Sequence, residues 1–228
     1  MNIIKQFENQ CIVSCQALED EPLHGSEIMA KMAIAAVEGG AAGIRANSPE
    51  DIRAIKKVCG LPVIGIYKRD YEESLVYITP TFDDAREIIE AGAEIVGIDA
   101  THLSRPNSET FESIVHKIRS NFPEILILGD VSTYEEGVFA MDLGVDFVST
   151  TLSGYTSYSK QLCGPDIDLV YKLSKLKKVP VMAEGRIWTV EQCAQCMKAG
   201  AHSVIIGTAI TRPREITRRF VNSISDGC

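Results

Sequence analysis

The chain has 228 residues, of which 45% are hydrophobic and 24% are charged, and its formal net charge is −8 at pH 7. This length and apolar content suit a folded domain and exclude a disordered chain. The basic residues are scattered and no run of 18 apolar residues occurs, so we expect neither a nucleic-acid partner nor a membrane span.

Short apolar runs alternate about eight times with amphipathic helical stretches along the chain. Runs such as VIGIY, IVGID and ILILG are typical of parallel strands that are covered on both faces. Between them, apolar side chains recur at helical spacing, as in Glu109 to Asn121. The eight predicted strands are Ile12 to Ala17, Gly43 to Ala46, Val63 to Tyr67, Ile95 to Ala100, Ile125 to Asp130, Phe147 to Thr151, Val181 to Gly185 and Ser203 to Gly207.

The number and spacing of these units favour a closed barrel. Eight βα units in a chain of this length fit an α/β fold, a single (β/α)8 TIM barrel that forms one domain over residues 1–228. An open doubly wound sheet is the alternative, but it needs fewer strands, and the sequence lacks the glycine motifs that bind nucleotides. Helices that precede the even-numbered strands end in glycine, which adopts the left-handed conformation that stops a helix. These glycines are Gly40, Gly92, Gly144 and Gly200.

Polar or ionisable side chains follow seven of the eight predicted strands. In a TIM barrel the carboxyl ends of all strands meet at one face, where the active site is built. Carboxylates, a lysine and an arginine at one barrel mouth therefore predict a functional site. In strand order, the terminal residues are Gln16, Arg45, Lys68, Asp99, Asp130, Thr150 with Thr151, Glu184 and Gly207.

Lys68 and Glu184 are the candidates for acid–base chemistry. Burial and the charge of the adjacent Arg69 are expected to lower the pKa of Lys68, so that it acts as a base; the alternative is a solvated loop lysine. Glu184 is expected to face it across the mouth, unless it only forms a structural pair with Arg186. A lysine opposite a carboxylate suits a reaction that moves a proton on and off carbon.

The turns after strands seven and eight predict a phosphate site. Gly185 with Arg186, and Gly207 with Thr208, place small residues where backbone N–H groups converge on an anion. Arg212 lies just beyond and adds a guanidinium that binds phosphate through two hydrogen bonds. A tight turn would explain either glycine alone, so the prediction depends on both turns together with the two arginines.

No metal ion or other cofactor is expected. Cys193 and Cys196 lie in a helical stretch without a second cysteine pair, and the four histidines are dispersed, which disfavours a metal site. The seven cysteines are irregularly spaced and are expected to be reduced thiols. Because residues 1–10 contain no apolar signal core, we expect a cytoplasmic protein.

Eight short segments lie in order at the predicted strand ends. They are Ser14-Cys15-Gln16-Ala17, Ile44-Arg45-Ala46-Asn47, Lys68-Arg69-Asp70, Ile78-Thr79-Pro80-Thr81, Asp99-Ala100-Thr101, Thr151 to Thr156, Ala183-Glu184-Gly185-Arg186 and Val204 to Pro213. Together they resemble the N-acylglucosamine-6-phosphate 2-epimerases, also called N-acetylmannosamine-6-phosphate 2-epimerases, over essentially the whole chain.

The resemblance implies a TIM-barrel isomerase that interconverts N-acetylmannosamine 6-phosphate and N-acetylglucosamine 6-phosphate in bacterial sialic acid breakdown. It implies that Lys68 removes and returns the C2 proton, with Glu184 as its partner. No redox carrier is needed for this chemistry. The ligand-binding positions that the resemblance implies are Gln16, Arg45, Asp130, Gly185, Arg186, Gly207 and Arg212.

Other functions stay open on the residues alone. A lyase would use Lys68 as a Schiff-base nucleophile on a sugar phosphate. A non-catalytic phosphosugar-binding barrel would need Arg212 and the glycine turns, but not both Lys68 and Glu184. A metal-dependent pentose-phosphate epimerase is disfavoured because ligand histidines are missing. The oligomeric state is also open, with a homodimer as one option.

Overall fold

Eight parallel strands form a closed barrel in the computed structural model of the protein, which describes residues 2–225. Each strand pairs with its neighbours in chain order, and the last pairs with the first. The predicted (β/α)8 fold is confirmed, with strand ends within two residues of their predicted positions. The strands are β1 (Gln10–Cys15), β2 (Gly43–Asn47), β3 (Val63–Ile66), β4 (Ile95–Asp99), β5 (Leu126–Asp130), β6 (Phe147–Ser149), β7 (Val181–Glu184) and β8 (Ser203–Ile206).

Helices alternate with these strands and cover the outside of the barrel. Within residues 2–225, no helix is long and apolar enough to cross a membrane. The helices are α1 (Ile3–Phe7), α2 (Ser26–Glu38), α3 (Pro49–Val58), α4 (Phe82–Glu90), α5 (Phe111–Asn121), α6 (Tyr134–Asp142), α7 (Ile167–Lys175), α8 (Val190–Lys198), α9 (Thr208–Thr211) and α10 (Pro213–Ser225).

The four glycines that end alternate helices have the predicted left-handed backbone. Their φ angles lie between 82° and 106°, a region that costs glycine little because it has no Cβ. Outside the barrel, buried Ile, Val and Ala side chains of the strands pack against the helices in a large apolar cluster. The strands carry apolar side chains on the face towards the helices and, in the lower half of the barrel, also on the face towards the barrel axis. Their sequences are therefore nearly continuous hydrophobic runs.

Inside the barrel, the lower half is apolar and closed by α1. Phe7, from α1, is fully buried among inward-pointing strand side chains, with its ring centroid 6.2 Å from that of Phe147. Gly43 makes room for this ring, since a Cβ on Gly43 would lie 2.7 Å from two of its atoms. These apolar side chains fill the lower half of the barrel, so the polar residues lie at the opposite end, where the strands have their carboxyl ends.

Gly43→Ala should destabilise the protein by about 1–3 kcal/mol, because the added methyl group forces the Phe7 ring out of a close-packed position. Gly60→Ala is the matched control, since a Cβ on Gly60 meets nothing within 4 Å. Urea denaturation followed by circular dichroism measures both free energies of unfolding. Equal stability of the two variants would contradict this account of the barrel floor.

Candidate active site

A cavity of about 620 Å³ opens at the carboxyl ends of the barrel strands. Its lining comes from the strand ends and from the loops that follow them. Eight of the ten predicted site residues line this cavity, so the structure brings both predicted catalytic residues and the predicted phosphate-binding residues together. The eight are Gln16, Lys68, Glu184, Gly185, Arg186, Gly207, Thr208 and Arg212.

The other two predicted residues, Arg45 and Asp130, lie beneath the cavity. Arg45 Nη1 and Nη2 donate to Asp130 Oδ1 and Oδ2 at 3.0 and 2.6 Å, and both side chains are buried. Gly97 lies beside this ion pair: a Cβ there would clash with Ile66 Cγ2 at 2.7 Å and would lie at ordinary contact distance, 3.6 Å, from Arg45 Nη2 and Asp130 Oδ2. Arg45 and Asp130 thus pair with each other under the cavity, and their contact with substrate stays a prediction.

Arg45 also holds Glu184. Its Nη1 donates to Glu184 Oε2 at 2.7 Å, and the Ser149 hydroxyl lies 3.4 Å from the same oxygen. The Thr151 hydroxyl bridges the two carboxylates, 2.5 Å from Asp130 Oδ1 and 2.9 Å from Glu184 Oε2. Since these contacts all use Oε2, they leave Oε1 of Glu184 for the cavity that this residue lines.

Burial and neighbouring charges set the protonation of this cluster. Burial raises the pKa of Glu184, and the charge of Asp130 adds to the rise, whereas Arg45, Thr151 and Lys68 oppose it. Burial alone would lower the pKa of Arg45, but the two carboxylates raise it above its ordinary value, so the guanidinium stays charged. Glu184 therefore exchanges its proton closer to neutral pH than an exposed glutamate does.

The pKa of Lys68 is lowered to about 8, as a catalytic base requires. Burial is the largest cause, followed by the positive charges of Arg212 and Arg45, while Glu184 and Glu21 act in the opposite direction. A lysine with this pKa is neutral in roughly a tenth of the molecules at pH 7, against fewer than one in a thousand for an ordinary lysine. Lys68 is thus able to accept a proton near neutral pH.

The expectation that Arg69 lowers this pKa is wrong. Its Nη1 lies 3.0 Å from Asp84 Oδ1, and its guanidinium stacks over the Tyr67 ring at 4.9 Å, away from the barrel mouth. Successive side chains of an extended chain point to opposite sides, so the residue next to Lys68 cannot face the same cavity. The two arginines that lower the pKa of Lys68 are Arg45 on β2 and Arg212, which follows α9.

Arg186 joins the loops after β6 and β7. It does not pair with Glu184, the structural alternative considered above. Instead its Nε donates to the Gly164 carbonyl at 3.0 Å and its Nη1 donates to the Ser153 carbonyl at 2.5 Å. The guanidinium also lies 5.1 Å from the centroid of the Tyr155 ring. Arg186 therefore fixes the long loop after β6 against one side of the cavity.

The turn after β8 and the loop after β1 form the adjoining side, since β8 pairs with both β7 and β1. Gly207 precedes α9, and Arg212 follows it, with its Nη2 3.0 Å from Glu21 Oε2. Glu21 is buried and lies 3.6 Å from Arg214 as well. Sequence reasoning missed Glu21, because it lies in a loop with neither a motif nor a strand end to mark it.

Gln16 brings an unpartnered polar atom to the site. Its Nε2 donates to the Ser14 hydroxyl at 2.7 Å, whereas its Oε1 is buried and has no hydrogen-bond partner among the described residues. Gln16 also lines the cavity. A buried acceptor without a partner is costly, so Oε1 is available for a donor group of a bound ligand.

The cysteine pair singled out in the sequence lies on α8, away from the cavity lining. Cys193 and Cys196 are free thiols, as are the four other cysteines within residues 2–225; Cys228 lies outside this range. Among the described residues, no group of three or more His, Cys, Asp and Glu side chains is arranged to hold a metal ion.

Comparisons with known proteins agree on one family. The family profile described as "Putative N-acetylmannosamine-6-phosphate epimerase" matches residues 29–226. Two relatives are described as "Putative N-acetylmannosamine-6-phosphate 2-epimerase". The protein from Caldanaerobacter subterraneus is 54% identical, over 99% of this chain and 95% of its own length. The protein from Clostridioides difficile is 49% identical, over 97% of this chain and 99% of its own length. The solved structure of the N-acetylmannosamine-6-phosphate 2-epimerase from Clostridium perfringens has a TM-score of 0.94 at 48% identity, covering 97% of this chain and 96% of that one.

Arg212→Met should raise the pKa of Lys68 above 8, because it removes a positive charge that disfavours the protonated amine. Arg69→Met is the matched control and should leave that pKa unchanged, since Arg69 faces Asp84 instead. NMR titration of protein labelled with carbon-13 at the lysine ε-carbons measures the pKa in each variant. A shift of the same size in both variants would contradict the assignment of Arg212 as a charge that lowers the pKa of Lys68.

Proposed function

The chain belongs to the N-acetylmannosamine-6-phosphate epimerase family, and we propose that it interconverts N-acetylmannosamine 6-phosphate and N-acetylglucosamine 6-phosphate by inverting the configuration at C2. One observation carries the proposal. Lys68, whose pKa is lowered to about 8, and the carboxyl group of Glu184 line the same cavity, and each electrostatically affects the pKa of the other.

Ring opening comes first in the proposed mechanism. The C2 hydrogen is acidic only when C1 is a carbonyl carbon, so the sugar must bind as, or open to, the aldehyde. Opening moves a proton between the C1 hydroxyl and the ring oxygen. Glu184 suits this transfer because its pKa is raised by burial, its Oε2 is fixed by Arg45 and its Oε1 is left for the cavity.

Proton transfer at C2 follows. Neutral Lys68 takes the C2 proton, the electrons of the C2–H bond form a C1–C2 double bond, and an enolate results with its negative charge on the C1 oxygen and with C2 planar. The open-chain intermediate then turns the other face of C2 towards protonated Lys68, and return of the proton to that face gives the other epimer and neutral Lys68. The positive charges of Arg45 and Arg212 favour neutral Lys68 before the transfer, and Glu184 and Glu21 stabilise its protonated form afterwards.

The substrate phosphate is proposed to bind at the side of the cavity formed by Gly185, Gly207, Thr208 and Arg212. The two turns offer backbone N–H groups, and Arg212 offers a guanidinium held beside Glu21. Because the phosphate does not react, its binding energy can hold C2 against Lys68.

The family also supports a place for this reaction in sialic acid breakdown. There, N-acetylmannosamine 6-phosphate is the substrate and its epimer is the product. A sugar phosphate is charged and does not cross a bilayer unaided, which favours the cytoplasm as the site of the reaction.

Lys68→Ala should abolish both epimerisation and the exchange of the C2 hydrogen with heavy water, because general bases contribute about 10²–10⁴-fold and a carbon acid needs the upper end of that range. Lys31→Ala, at an exposed site on α2, is the matched control and should keep wild-type turnover. Proton NMR of each protein with N-acetylmannosamine 6-phosphate in heavy water follows both reactions.

For the wild type, kcat/KM should rise with pH to a plateau above about 8, since neutral Lys68 is the active form.

C2 exchange by Lys68→Ala at the wild-type rate would show that another residue is the base. A Schiff-base lyase is distinguished in the same samples, because borohydride with substrate would then trap a covalent adduct on Lys68. Binding of the sugar phosphate by the wild type without turnover or exchange would favour the non-catalytic barrel.

Arg212→Ala should raise KM at least about tenfold, because a charge-assisted hydrogen bond contributes roughly 1.5–3 kcal/mol. Arg214→Ala is the matched control: Arg214 also lies near Glu21 but does not line the cavity, so KM should change less than about twofold. Steady-state kinetics with the phosphorylated and the unphosphorylated sugar measure the effect. Equal kcat/KM for the two sugars in the wild type would remove the phosphate site.

A further inference from the structure

β3 and β4 separate near the active site, at the end of β3. The two strands pair only at Ile64↔Ile95 and Gly65↔Val96. Beyond these pairs, the loop that follows β3 folds back as a hairpin, with Lys68 opposite Ile78 in an antiparallel bridge. The returning segment, residues 78–79, lies between the two strands and forms what we call the wedge.

The hydroxyl of Thr79 replaces one hydrogen bond of the interrupted ladder. If the β3–β4 register continued, Tyr67 would lie opposite Ile98 and its N–H would point to the Gly97 carbonyl. Instead, Tyr67 N donates to Thr79 Oγ1 at 3.1 Å, and Thr79 Oγ1 donates to the Gly97 carbonyl at 2.6 Å. The hydroxyl thus accepts from one strand and donates to the other.

The peptide group between Ile78 and Thr79 replaces the neighbouring ladder bond. In a continued ladder the Asp99 N–H would donate to the Tyr67 carbonyl. Here Asp99 N donates to the Ile78 carbonyl at 3.0 Å, and Thr79 N donates to the Tyr67 carbonyl at 2.7 Å. The wedge therefore spreads the strands while it keeps all of these backbone groups paired.

Thr79 adopts an unfavourable backbone conformation to do this. Its φ is 49°, and the residue is fully buried. For a β-branched side chain this left-handed region is a true outlier, which glycine or asparagine would occupy with less strain. Glycine, however, has no hydroxyl to join the two strands. Strained residues of this kind persist where the surroundings fix them, commonly at functional sites.

The wedge acts on the residue that precedes Lys68. Tyr67 is held by Thr79 through both its N–H and its carbonyl, and Lys68 N donates to Asn47 Oδ1 from β2 at 2.8 Å. The Lys68 backbone is thus fixed from both sides, with its Nζ 5.6 Å from the Tyr77 ring centroid. We propose that Thr79 is a positioning residue that sets Lys68 for proton transfer at C2, an inference that rests on the proposed function.

The test compares three substitutions of Thr79 by steady-state kinetics on N-acetylmannosamine 6-phosphate. Thr79→Val loses the hydroxyl, and kcat should fall about 10²-fold, as expected for a small misplacement of a reacting group. KM should stay within about threefold, because the proposed phosphate contacts are not touched. Thr79→Ser keeps the hydroxyl and should keep kcat within about threefold. Thr79→Gly removes strain and hydroxyl together, so it should fold readily and still lose kcat.

Thr110→Val is the control for stability. Thr110 caps α5, accepting from Ser113 N at 3.0 Å, and it is exposed and outside the cavity lining. Its loss should lower the melting temperature without changing kcat per folded molecule. A fall in kcat as large as that of Thr79→Val would overturn the proposal, because instability alone would then explain it.

The remaining outcomes also decide the proposal. It is overturned if Thr79→Val or Thr79→Gly keeps wild-type kcat, or if Thr79→Ser loses as much as Thr79→Val. Wild-type protein that fails to turn over the sugar phosphate would overturn the proposed function and this inference with it. Wild-type turnover with unaffected Thr79 variants would overturn the inference alone.

Discussion

A charged guanidinium buried inside the barrel is the constraint on which the site depends. An unpaired buried charge is very unfavourable, so Arg45 requires acceptors that are themselves fixed. Asp130 supplies two oxygens and Glu184 supplies one, each on a different strand. Gly97 of β4 lies beside this ion pair, where a Cβ would clash with Ile66. The barrel thus positions Glu184 by satisfying a charge below it.

The same guanidinium links the two residues that carry the proposed chemistry. Its charge lowers the pKa of Lys68 and opposes the rise in the pKa of Glu184 caused by burial. A substitution at Arg45 would therefore change the protonation of both groups and also leave two buried carboxylates unpaired. Such a variant would not separate an effect on catalysis from an effect on folding. Thr79, in contrast, acts on Lys68 only through its hydrogen bonds to Tyr67, and Arg212 acts on it through its charge.

Much of the fold was predictable because the strands are covered by side chains on both faces. Apolar runs, most of them nearly continuous, marked all eight strands, and the glycines at the ends of four helices have the expected left-handed backbone. The cavity was predictable because parallel strands end at one face. The depth at which each side chain lies within the barrel was not predictable. Arg45 lies two residues before the end of β2, one inward-facing position below the rim. Alternation of side chains along the chain should have excluded Arg69 as a neighbour of the Lys68 amine.

Other parts of the site depend on contacts that no local pattern reveals. Glu21 is brought to Arg212 by a loop without regular structure, and Thr79 enters the sheet in a conformation that its residue type disfavours. These exceptions to local preference lie around Lys68, where we expect function to override propensity.

Lys68 must satisfy two opposing requirements in the proposed reaction. It has to be neutral to take the C2 proton and protonated to return one, so a strongly shifted pKa in either direction would slow one half of the cycle. Burial, Arg212 and Arg45 lower the pKa, and Glu184 and Glu21 limit the shift, so that it stays at about 8. Two arginines and two carboxylates from different strands and loops are needed for this balance. The mouth of a closed barrel is a place where such groups converge on one amine.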